Sequence, residues 1–124
     1  MVYCQTSKST NVIDKRLEAC LKDSTTTAGM CNCTLEAKNA WDRELNKYYK
    51  LLLSKLSEDG KIKLQEAQRQ WILFRDKEAA FGSIYYFKEK QGTMFYIMAA
   101  DKQMQTVKSR ARELQTYYEV LTEY

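Results

Sequence analysis

Three stretches of the chain repeat apolar residues at three- and four-residue steps, the spacing that gathers side chains on one face of an α-helix. In the first stretch, Ala37, Trp41, Leu45, Tyr48, Leu52 and Leu56 form the stripe, on a helix predicted from Met30 or Thr34 to Leu56. The second, predicted over 58–90, runs Leu64, Ala67, Trp71, Phe74, Glu78, Phe81, Tyr85, with Glu78 its single polar member. The third, over 94–121, leads from Ile97 and Ala100 through Met104, Val107 and Ala111 to Leu114, Tyr118 and Leu121 without a break.

Polar punctuation separates these stretches. Ser57-Glu58-Asp59-Gly60 supplies an N-cap with two acids where a helix dipole favours them. Gln91-Gly92-Thr93 offers a glycine suited to a left-handed C-terminal cap and a threonine for the next N-cap. Upstream, Asn11 is placed to cap a short helix over 11–21 whose apolar content is Val12, Ile13, Leu17 and Ala19, followed by a turn and cap region over 22–29. Residues 1–10 are polar and expected to be flexible, and 11–124 to form a single domain. Short links make successive helices antiparallel. The expected fold is therefore all-α: an elongated antiparallel bundle of three long helices plus a short N-terminal helix pinned to it by disulfide chemistry.

Composition agrees. The 124 residues include no proline and only four glycines, too few breakers for the many tight turns of a small β fold. The net charge of +4 comes from interleaved Lys, Arg, Asp and Glu, a solvated surface rather than a nucleic-acid-binding patch. No run approaches the roughly 20 apolar residues that span a bilayer. Histidine is absent, which removes the commonest general base and zinc ligand.

Cys4, Cys20, Cys31 and Cys33 all lie in the first third. Cys31 and Cys33 are too close to bridge each other without strain, leaving Cys4–Cys31 with Cys20–Cys33, or Cys4–Cys33 with Cys20–Cys31. Either clamps the N-terminal segment to the first long helix and suits an oxidising compartment. A four-cysteine zinc site fits the spacing poorly, and reduced buried thiols are the remaining alternative.

The densest polar chemistry is in 64–81. Arg75 and Glu78 share a helix face and Asp76 is turned about 100° away. With Asp42 on the preceding helix they form either a structural polar network or a binding cluster. A seam carboxylate such as Glu78 is also a familiar register device. Trp41 and Trp71 are expected core anchors. Tyr48-Tyr49, Tyr85-Tyr86 and Tyr117-Tyr118 are adjacent pairs in which one ring can face inward and the other outward. Nothing in the sequence resembles a nucleophile elbow, a phosphate loop or a metal-binding helix pair, so no enzyme, no catalytic residue and no cofactor is expected.

Cys20, then Ser24-Thr25-Thr26-Thr27-Ala28-Gly29-Met30 and Cys33, followed by Ala40-Trp41-Asp42-Arg43-Glu44-Leu45-Asn46-Lys47-Tyr48-Tyr49, resembles the LprI-like lysozyme-inhibitor N-terminal domain family. The likeness continues through Ala67-Gln68-Arg69-Gln70-Trp71-Ile72, Phe74-Arg75-Asp76, Gly92-Thr93-Met94 and Arg110-Ala111-Arg112-Glu113-Leu114. The resemblance implies a Cys20–Cys33 pair, with Cys4 and Cys31 additional to the family pattern. It also implies a secreted or periplasmic bacterial protein whose leader has been removed from this sequence. The implied function is protein binding, with lysozyme or another cell-wall hydrolase blocked sterically. The alternative is an envelope structural, adaptor or immunity-type protein with an unrelated partner.

Overall fold

The computed structural model describes residues 8–124, with side chains from Val12 onward. Four α-helices follow one another: α1 Lys8–Asp23, α2 Thr27–Lys55, α3 Glu58–Ile84 and α4 Met94–Glu123, with a π-helical turn, Tyr85–Glu89, continuing α3. No strand occurs among the described residues. The Cys4–Cys31 bridge and most of the polar N-terminal segment expected from the sequence lie outside the described residues.

Local chemistry sets the boundaries. Ser57 in extended conformation caps α3, its hydroxyl accepting from Gly60 N at 3.2 Å. Thr26 does the same for α2 with Gly29 N at 3.0 Å. Helix α2 therefore starts at Thr27, ahead of the expected Met30, because first-turn amides lack helical partners anyway and a glycine there is tolerated. Helix α1 begins at Lys8 rather than after an Asn11 cap. Lys, Ser and Thr carry only modest helix penalties, and each residue added to a formed turn contributes one hydrogen bond. Gly92 adopts φ +134°, a region that favours glycine, and turns the chain into α4. Thr93 is already helical and makes no side-chain cap; its carbonyl accepts from Tyr96 N at 3.1 Å.

Each helix is antiparallel to the next in the chain, so α2 and α4 run parallel. Lys38 meets Gln103 near one end, 3.4 Å apart, and the Tyr48 and Tyr118 rings meet farther along with centroids 5.9 Å apart. The core lies between this pair. Ala37, Trp41, Leu45, Tyr48 and Leu52 from α2 pack against Met104, Val107, Ala111 and Leu114 from α4. Trp41 is 0% exposed. Truncating any of the larger of these side chains to alanine costs about 2–5 kcal/mol.

Helix α1 lies along one side of the pair. It adds Ile13 to the core, and Asp14 accepts from Lys108 Nζ at 3.1 Å through both carboxylate oxygens. Its far end is bonded covalently to α2 through Cys20–Cys33, Cα atoms 5.7 Å apart. Ser24 tightens the corner: its hydroxyl donates to the Cys20 carbonyl at 2.9 Å and sits 3.3 Å from Cys33 Sγ. Cys31 is half-buried and unbonded to any described residue.

Helix α3 lies along the other side, and here the structure departs from the stripe read in the sequence. Leu64 and Trp71 pack against the core, but Gln68 is buried in place of the expected Ala67, and beyond Trp71 the inward positions are Arg75, Ala79, Gly82 and Tyr86, each one residue past the expected Phe74, Glu78, Phe81 and Tyr85. Phe74 is 54% exposed and Phe81 62%. Small side chains at 79 and 82 face the α2–α4 pair, and the aromatic stripe faces solvent.

Replacing both bridging cysteines (C20S with C33S) opens a loop closed over 13 positions. The expected cost is about 3 kcal/mol, seen as a fall in Tm on the order of 10 °C in thermal unfolding followed by circular dichroism. A double variant melting within a degree or two of the parent would remove the clamp from the account of stability.

Candidate functional site

Because α3 presents small residues inward, it does not fill the space beside α2 and α4. A cleft of about 320 Å³ remains among the three helices. Lys38, Asn39 and Asp42 line it from α2, Arg75, Asp76 and Glu78 from α3, and Lys102, Gln103 and Thr106 from α4. Its apolar floor comes from Ala79, Gly82, Ala99 and Val107, and Tyr86 stands at one end.

All four polar residues singled out in the sequence border this cleft. Arg75 is held from two sides: its guanidinium lies 5.5 Å from the Trp71 ring centroid and contacts the Asp76 carboxylate at 2.9 Å. Glu78, its neighbour on the helix face, is half-buried, and no ion pair joins it to a described residue. The long arginine reaches the adjacent rim carboxylate instead. Asp42 accepts from Asn46 Nδ2 at 3.4 Å on its own helix, leaving much of its acceptor capacity toward the cleft. Trp71 is half-buried and packs against the core beside Arg75.

Contacts between α3 and α4 flank the cleft on either side along the helices. At the end nearer the α2–α3 link, Gln68, 6% exposed, accepts from Arg110 Nε at 3.0 Å, and Arg110 also holds Glu113 at 3.1 Å. At the other, Phe87 meets Tyr96 edge to face with centroids 4.9 Å apart. The π turn at this end brings Lys90 N to the Tyr85 carbonyl at 3.0 Å. Gln68 and Arg110 carry α3–α4 docking, yet sequence reasoning did not single them out. A glutamine on the inward ridge three residues before Trp71 was the available signal.

Chemically the site can form hydrogen bonds and ion pairs with a polar surface pressed against it. Lys38, Lys102 and Arg75 alternate with Asp42, Asp76 and Glu78 around an apolar floor. Thr106 directs its hydroxyl to the Lys102 carbonyl at 2.9 Å. Among the described residues no group of His, Cys, Asp and Glu is gathered to hold a metal ion. No helix among the described residues is long and apolar enough to cross a membrane. Tyr48, Tyr86 and Tyr118 are the more covered of each tyrosine pair; Tyr85 and Tyr117 are exposed, whereas Tyr49 is half-buried and also packs against the core.

Two substitutions separate structure from recognition here. Arg110→Ala strands the buried Gln68 carbonyl and is expected to cost about 1–3 kcal/mol in denaturant unfolding. Glu78→Gln, which breaks no ion pair within the molecule, is expected to change stability by less than about 0.5 kcal/mol. A larger loss at Glu78 would make it a register device.

Among curated proteins no sequence matches the chain. A crystal structure of an uncharacterised protein from Burkholderia thailandensis superimposes with a TM-score of 0.82 at 31% sequence identity, over 90% of this chain and 55% of that one. This chain thus spans about half the length of that relative. The family model described as lysozyme inhibitor LprI matches residues 7–114, a span that takes in the Cys20–Cys33 corner, all of the buried α2 stripe, the cleft and most of α4. The chain belongs to the LprI lysozyme-inhibitor family.

Proposed function

We propose that this protein works in the periplasm or outside the cell by binding a lysozyme-type or related cell-wall hydrolase and blocking its cleft sterically. The family match over residues 7–114 carries this reading. A disulfide joining α1 to α2 suits an oxidising compartment. The contact surface we assign is the cleft rim, where Asp42, Asp76 and Glu78 supply acceptors beside the Trp71–Arg75 stack.

Electrostatics give this choice its reason. Many lysozymes are basic, and a chain of net charge +4 gains nothing from bulk attraction to them. Attraction must then be local. The rim carboxylates provide it, and their salt dependence would be confined to the short range set by a Debye length of about 8 Å. The same net charge favours the second reading, an envelope adaptor or immunity-type protein whose partner is not a lysozyme.

Added in excess, the protein is expected to slow the clearing of a cell-wall suspension by lysozyme. Reversing the rim charge (D76K with E78K) is expected to weaken that inhibition at least tenfold, equivalent to about 1.4 kcal/mol, with the fold intact by circular dichroism. Unchanged clearing with representatives of several lysozyme classes would remove the inhibitor function and leave the adaptor reading, for which pull-down from a periplasmic extract would return a non-lysozyme partner.

A further inference from the structure

The outer surface of α3 has no role in the cleft or the core. Phe74, Phe81 and Tyr85 form one exposed stripe, and Leu73 and Ile84 form a second about a quarter-turn away. Lys77 and Lys88 run between the two. The first stripe has seven- and four-residue steps, which keep its rings on one helix face as the three- and four-residue steps of α2 and α4 keep their buried residues on theirs. A surface of that shape fits another helix. We propose that it is the face through which two copies of this chain pair, α3 against α3, independently of hydrolase binding.

Area and charge both favour a second copy. Fully buried aromatic side chains contribute about 150–250 Å² each. The five exposed side chains leave roughly half of such areas open, on the order of 500 Å² per copy. Doubled, this reaches about 1,000 Å², the size of a weak, reversible protein–protein interface. The exposed charges along the middle of the face are both positive, so a basic partner is repelled unless its own charges are offset. A two-fold axis at Phe81 with antiparallel helices supplies that offset: position 77 then faces position 85 and position 88 faces position 74. Each lysine meets an aromatic ring, a favourable cation–π arrangement, and no lysine meets a lysine.

Sedimentation equilibrium of the disulfide-intact protein, from low micromolar to a few hundred micromolar, tests this. The expected result is a reversible monomer–dimer equilibrium. Phe81→Glu should weaken it at least tenfold without lowering Tm, because that ring is 62% exposed already. Leu73→Lys serves as a second interface variant should Phe81→Glu fail to fold. Tyr117→Glu, at a ring 60% exposed on α4, should leave pairing unchanged. A parent chain that stays monomeric throughout would overturn the proposal, as would pairing equally strong in the parent and in a folded α3 variant. So would a monomeric parent that sediments with phosphatidylglycerol vesicles in a Phe81-dependent way.

Discussion

The parallel packing of α2 against α4 is the constraint from which the rest of the architecture follows. Trp41 sits at its centre, wholly enclosed, with Leu45, Met104 and Leu114 almost equally buried around it. Helix α2 is 29 residues long, about 43 Å. For α4 to lie parallel to it, the chain must travel back that whole distance between them, and α3 makes the journey. Helix α3 is thus required for connectivity before it is required for packing. That explains why it can touch the core at Leu64 and Trp71, dock through one Gln68–Arg110 hydrogen bond, and elsewhere stand off far enough to leave a cleft on one side and bare aromatic rings on the other.

The core helices were legible in the sequence because each has only one apolar face. Ala37, Trp41, Leu45, Tyr48 and Leu52 have no competing stripe, nor do Met104, Val107, Ala111 and Leu114. In α3 the signal is ambiguous: Phe74, Phe81 and Tyr85 mark one face, while Leu73 and Ile84 mark another. Periodicity shows that a face exists; it does not show what the face meets. The inward ridge through Ala79 and Gly82 is chosen by the shape of the α2–α4 groove, a tertiary property, and small residues leave little trace in a hydropathy pattern. Glu78 was the visible warning, the one polar member of any of the three stripes.

The candidate site was half legible for a related reason. Arg75, Asp76 and Glu78 stand close together in sequence, so their density can be read directly, and Asp42 was found by its place beside Trp41. Lys38, Lys102 and Gln103 complete the cleft but come from solvated faces where both charges alternate along the whole chain. Only assembly selects them. The α1–α2 corner was read through its cysteines; the sequence does not reveal how closely its other members approach. A Cβ on Gly29 would lie 3.0 Å from Thr26 Oγ1 and 3.3 Å from Ser24 Oγ, so the cap and the bridge share one tightly filled volume.

Trp41 carries a burden inside the core. Its Nε1 is buried with no hydrogen-bond partner among the described residues, a desolvation cost of about 1–3 kcal/mol. Burial of the ring and the Lys108 ammonium 5.5 Å from its centroid offset that cost. The anchor is therefore held by shape more than by polar bonding.

The parallel pair has a kinetic corollary. Lys38 and Gln103, which meet across it, are 65 residues apart in the chain. A bundle whose core formed between sequence neighbours would assemble from local encounters. Here the central contacts have high contact order, and loop-closure entropy must be met before any of them forms. An early α3 rod would shorten that diffusive search by holding the two ends of the journey a fixed span apart. Such a topology sets this helical chain toward the slow side of its structural class.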